Sequence, residues 1–128
     1  MKKMYALRGA VRCDNTKEDI CKQVNCMYDE LLLSNMLDEK DIVSVMFTVT
    51  EDVNVLNPCT ALRQGGRAGE SALFCSQEPK IIGSLERVIR VIVHCYLKDE
   101  SVPVHVYRNG AEVLRPDRVT LGDTKGTN

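Results

Sequence analysis

The stretch Val88-Ile89-Arg90-Val91-Ile92-Val93 constrains the fold of this chain more than any other. Five of its six residues are β-branched, so a strand is the better reading, although apolarity alone would also suit a buried helix. A run this apolar is core material, and the arginine inside it needs a physical reason. Guanidinium is not deprotonated in proteins, so away from water it requires a carboxylate, a phosphate or a developing oxyanion. Glu78, beside Pro79, is close enough in sequence to supply a carboxylate. One reading makes Arg90 an ion-pair partner of Glu78, or an edge residue whose stem carries the charge to solvent. The other makes it a ligand for a bound anion. Arg8, in the first apolar segment, poses the same choice. Alone, Glu78 suits a surface carboxylate and Tyr107 a packing residue.

The remaining elements follow from periodicity and punctuation. Met4 to Arg12 reads as a strand interrupted at Gly9, with Tyr5, Leu7 and Gly9 on the face opposite Ala6, Arg8 and Ala10. Asn15 or Thr16 caps a helix that runs to about Asn35, its apolar stripe being Ile20, Val24, Met27 and Leu31. Ile42 to Val49 is an apolar, β-branched strand. Asn57 as cap, Pro58 at the first helical position and Gly65 or Gly66 as stop define a short helix. Ser71 to Cys75 reads as a further strand. Asn109-Gly110 between two β-prone runs predicts a hairpin with a two-residue type I′ turn. In that hairpin Tyr107 would pair with Glu112, and Tyr107 and Arg115 would point to opposite faces, which suits pockets shared between chains. The order β-α-β-α-β-β-β describes an α/β sheet with helices packed on it. Residues 1–117 form a single domain, and the polar tail 118–128 is expected to be mobile.

Composition narrows the function. The net charge of −1 is spread along the chain, which argues against nucleic acid or a charged membrane surface as partner. No apolar stretch is long enough to span a bilayer and no signal peptide precedes the first strand, so the cytoplasm is the expected compartment. Cys13, Cys21, Cys26, Cys59, Cys75 and Cys95 form no CxxC pair, and His94 and His105 do not cluster with them. Neither a metal nor any other cofactor is expected. No Ser-His-Asp signal, GxSxG or phosphate-binding glycine loop is present, and "RQGGRAGE" follows a helix as a turn. Cys75 reads as a packing thiol more readily than as a nucleophile. What remains is arginines, a carboxylate and a tyrosine, a set suited to holding a small polyanion.

The segments "LRGAVR", "DIVSVMFTVTEDVN…NP", "CSQE", "GSLERVIRV" and "HVYRNGAEVLRPD" occur in one colinear order over residues 4 to about 117. In this they resemble the monofunctional, trimeric, β-rich class of chorismate mutase. The resemblance implies a mixed sheet with helices packed on it, three chains forming a pseudo α/β-barrel, and an active site at each subunit interface. It implies the rearrangement of chorismate to prephenate, on the route to phenylalanine and tyrosine, without cofactor or metal.

Carried over by position, Arg8 becomes a substrate-binding cation. Arg90 stabilises charge on the breaking ether oxygen, Glu78 accepts a hydrogen bond from the substrate hydroxyl, and Tyr107 binds carboxylate. Leu73, Phe74, Cys75, Ser76 and Gln77 would line the same pocket, and Leu114 with Arg115 would contact it, Arg115 from the neighbouring chain. The family's "FPAKA" segment is here Asn57-Pro58-Cys59-Thr60-Ala61, so an aromatic wall and a lysine are absent, while Arg63 is retained. Cys59, Thr60 and Arg63 are accordingly counted with the substrate-binding positions. Two rivals use the same arginines: a non-catalytic trimeric module that binds a carboxylate metabolite, and an enamine/imine deaminase of similar fold. Glu78 together with Arg90 favours the mutase.

Overall fold

The computed structural model describes residues 1–114. Arg115 and the 118–128 tail lie outside them. The elements run β1 (Lys2–Arg12), α1 (Lys17–Ser34), β2 (Ile42–Val49), α2 (Pro58–Gln64), β3 (Ala72–Gln77), β4 (Val88–Lys98) and β5 (Val106–Arg108). Short 3-10 turns occupy Glu39–Asp41 and Ala111–Leu114. The strands form one mixed sheet in the order β3-β2-β4-β1-β5. β4 lies at its centre, antiparallel to both β1 and β2, while β3 and β5 pair in parallel on the two edges. The apolar arginine-bearing run is therefore the middle strand, as its composition requires.

Strand alternation gives the sheet two unlike faces. Leu7, Val11, Val45, Phe47, Ile89, Val91 and Val93 point to one side, where Ile20, Val24, Met27 and Leu31 of α1 and Ala61 and Leu62 of α2 cover them. Thr16 caps α1 by accepting the Asp19 backbone N–H, and Asn57 caps α2 by accepting that of Cys59. No helix among the described residues lies on the other face. Ala10, Val88, Tyr107 and Ala111 make a small second cluster there, joined by Leu85 and Leu114.

Three expectations change. β1 is unbroken at Gly9. A side chain there would meet Met27 Sδ and the Val106 carbonyl oxygen at 3.1 Å, so this glycine lets α1 and β5 approach closely and does not end a strand. The hairpin at Asn109-Gly110 does not form. Both residues adopt positive φ, 56° and 98°, as a tight turn demands. However, Val106–Arg108 is recruited into a parallel ladder with β1, and the chain leaves the turn as a 3-10 segment with Ala111 buried in the second cluster. The local turn preference survives, and the tertiary edge of β1 takes the strand. The hairpin argument for opposed Tyr107 and Arg115 therefore falls with the hairpin. Finally, β3 and β4 run past Cys75 and Val93 because their neighbours offer further rungs, Val49 to Gln77 and Lys2 to Lys98.

Candidate active site

The face opposite α1 and α2 carries two adjacent rows of side chains that cross the sheet. Along one row the paired positions are Ser76, Thr48, Arg90, Ala10 and Tyr107, one from each strand. The next row holds Phe74, Met46, Ile92 and Arg8. All nine line one open pocket of about 300 Å³, at the lower end of the range for small-molecule sites. Its walls are Met46, Phe74 and Ile92, and its charges are two guanidinium groups.

Glu78 follows β3 directly and is held in place twice. Its backbone N–H donates to the Val49 carbonyl (2.8 Å), and its carboxylate Oε2 accepts the Thr48 hydroxyl (2.6 Å). The same Oε2 lies 2.9 Å from Arg90 Nε. The Nε–H is not aimed at the oxygen, so the contact is a charge pair and not a hydrogen bond. Arg90 remains 37% exposed on its side chain, and no acceptor among the described residues meets its terminal nitrogens. Glu78 thus offsets the charge of one of the pocket's two arginines, Arg90, and leaves that guanidinium's tips available. Arg8 has no carboxylate partner among the described residues, while its backbone N–H donates to His105 Nδ1 (3.0 Å). Glu78 also lines a second pocket of about 360 Å³, formed with the 79–86 loop.

A family model described as chorismate mutase type I matches residues 4–118. This chain belongs to that family. Two curated relatives are named chorismate mutase AroH. The one from Bacillus subtilis (strain 168) is 28% identical over 124 residues, spanning 94% of each chain. The one from Thermus thermophilus is 34% identical over 120 residues, spanning 87% of this chain and 93% of that protein. A solved chorismate mutase from Clostridium thermocellum superposes with a TM-score of 0.79 at 39% identity, covering 85% of this chain and 98% of that one. A chorismate mutase is an isomerase, and the assignment decides for it over the binding module and the deaminase.

Within one chain, the expected site residues divide between the two faces. Arg8, Phe74, Ser76, Arg90 and Tyr107 line the open pocket, with Glu78 at its edge. Leu114 is half-buried in the cluster beside Tyr107. Leu73 and Cys75 alternate to the helix side of β3 and pack against the main core, and Gln77, on the same side of the pleat, is exposed. Cys59 is buried in that core too, in α2, with Thr60 half-buried and Arg63 exposed. A single chain therefore does not bring Leu73, Cys75, Gln77, Cys59, Thr60 or Arg63 into the Arg8–Arg90 pocket.

Burial pushes the Cys75 thiol up to about 11, which leaves little thiolate near neutral pH. Cys75→Ser is expected to keep kcat within about threefold of the parent, because a group without thiolate character contributes no covalent step. Steady-state assays of the folded variant check this; abolished turnover with intact substrate binding would contradict it. Ser44 and His94 stand one row beyond the pocket, Oγ to Nδ1 at 3.2 Å, with no carboxylate among the described residues orienting the ring. Of the nine side chains in the two rows, Ala10, Met46, Thr48 and Ile92 are the ones that sequence reasoning missed, as it missed the contact of His105 with the Arg8 backbone. Alternation along "IVSVMFTV" already groups Ser44, Met46 and Thr48, and alternation along β4 groups Arg90 with Ile92. Only the position of the helices tells which group faces the site.

Proposed function

We propose that the open-face pocket binds chorismate and converts it to prephenate by a unimolecular pericyclic rearrangement. The observation that supports this most is the Arg90–Glu78–Thr48 constellation beside an Arg8 with no carboxylate partner among the described residues. Chorismate carries two carboxylates, and its ether oxygen gains negative charge as the C–O bond breaks. Arg90 would hold its free guanidinium nitrogens toward that oxygen and stabilise charge that is greatest in the transition state. Arg8 and Tyr107 would bind carboxylate. Glu78, fixed by Thr48, would accept a hydrogen bond from the substrate hydroxyl. The apolar walls and the two cations would keep the substrate in its folded, pseudo-diaxial form, an orientation effect. No proton has to move, and no nucleophile has to form a bond. Loss of the ultraviolet absorbance of chorismate on adding purified protein tests the reading, and no loss above the uncatalysed rate would overturn it.

The functional unit in this proposal is a homotrimer with a site at each interface. The support is the sheet face that the described residues leave uncovered, where Met4, Met46, Phe74 and Tyr96 are each at least two-fifths exposed, and the placement of Cys59, Thr60 and Arg63 on the far side of their own sheet. Of these α2 residues, the half-buried Thr60 and the exposed Arg63 would reach the pocket of a neighbouring copy, with Cys59 backing them from the core. Light scattering is expected to give three times the chain mass. A dilution-stable monomer with full turnover would remove the interface from the account.

A further inference from the structure

We infer that His105 is a positioning residue for Arg8, and through Arg8 for substrate binding; the inference rests on the reading of Arg8 as a substrate-binding cation. The parallel ladder between β1 and β5 covers Gly9–Val106, Ala10–Tyr107 and Val11–Arg108, and one step further back it ends. At that step Arg8 stands beside His105, and the Arg8 backbone N–H donates to the imidazole Nδ1 at 3.0 Å. The side chain thus supplies the acceptor that a further rung of backbone would have supplied.

The imidazole is delivered by a braced main chain. Asn35, the C-terminal cap of α1, clamps the preceding residue by accepting the Val104 N–H (2.8 Å) and donating Nδ2 to the Val104 carbonyl (2.9 Å). The following residue, Val106, is fully buried and pairs with Gly9. Held on both sides, His105 fixes the origin of a long side chain that has no carboxylate to steady it among the described residues. It also ties Arg8 to the segment that bears Tyr107, so that the two carboxylate-binding groups keep a set spacing. An Nδ1 that accepts carries no proton, so the neutral ring holds its proton on Nε2. Asn at this position keeps an acceptor on the atom bonded to Cγ, close to where Nδ1 sits, whereas Leu keeps bulk and loses the acceptor.

The test is a set of steady-state measurements on folded, full-length Arg8→Ala, His105→Leu, His105→Asn and the Arg8→Ala/His105→Leu pair, with circular dichroism confirming each fold. His105→Leu is expected to raise KM roughly 10- to 100-fold with a smaller change in kcat, the effect of a mispositioned binding group. His105→Asn is expected to restore KM to within about threefold of the parent by keeping the acceptor. In the Arg8→Ala background, His105→Leu should add almost nothing, because the two changes remove one interaction. A normal KM for His105→Leu, or an undiminished loss in the Arg8→Ala background, overturns the inference while leaving the role of Arg8 intact. A His105→Asn protein as impaired as His105→Leu likewise overturns it. A normal KM for Arg8→Ala overturns the role of Arg8, and the inference with it.

Discussion

Arg90→Ala is expected to lower kcat by more than the roughly 10²–10³, about 2.7–4 kcal/mol, that loss of one preorganised donor typically costs, because a full charge is removed. The effect should fall on kcat more than on KM, since the charge on the ether oxygen appears mainly in the transition state. Arg90→Lys retains the charge without the planar fork. Its ammonium cannot both approach Glu78 as Nε does and present two nitrogens to a ligand, so it should be severely impaired as well. Citrulline at position 90 keeps the shape and removes the charge. It is expected to bind substrate tolerably and to turn it over very slowly. Because Arg90 is also the ion-pair partner of Glu78, each variant must first show a native circular dichroism spectrum. A folded Arg90→Ala protein with near-normal kcat would make this arginine a structural residue only.

Glu78→Ala is expected to lower kcat/KM about 10- to 100-fold, in line with the roughly 1.5–3 kcal/mol carried by a hydrogen bond to a charged group. In the proposed mechanism two losses would combine: the acceptor for the substrate hydroxyl, and the carboxylate that lies 2.9 Å from Arg90 Nε. Glu78→Asp tests the second. Its backbone is pinned to Val49 and its carboxylate is one methylene shorter, so it cannot keep both the Thr48 and the Arg90 contacts. It should therefore recover little of the lost activity. Glu78→Gln keeps the length and an acceptor oxygen and should lie between the parent and Glu78→Ala. Full activity in Glu78→Asp, measured by chorismate consumption, would show that the side-chain reach argued here does not matter.

Elements whose causes are local were legible from the residues that cause them. Thr16 and Asn57 cap the two helices because a short polar side chain before an apolar-periodic run can accept an orphan N–H. β-Branched runs became β2 and β4. The Asn109-Gly110 turn shows where local signals stop: the positive φ values appeared, but the direction of the chain afterwards depended on a free edge of β1 far away in sequence.

The site divides in the same way. Arg8 and Arg90 were nameable because guanidinium groups in apolar sequence need partners, whereas Glu78 and Tyr107, which alone suit a surface carboxylate and a packing residue, gained site roles only from the family resemblance. Their assembly was not readable from spacing. Thr48 meets Glu78 only because β2 lies between β3 and β4, and His105 meets Arg8 only because β5 docks beside β1. Both contacts join residues far apart in the chain, and hydrogen bonds of that kind leave no periodic trace. Leu73 and Cys75 turned to the helix face, since a strand fixes which residues share a side and packing alone fixes which side is covered. By itself, the sequence determined the apolar cores of the longer strands, the helix caps and the kinds of charge available. Tertiary structure decided strand order and the face that stays open, because those depend on burying apolar area over distances that no local pattern encodes.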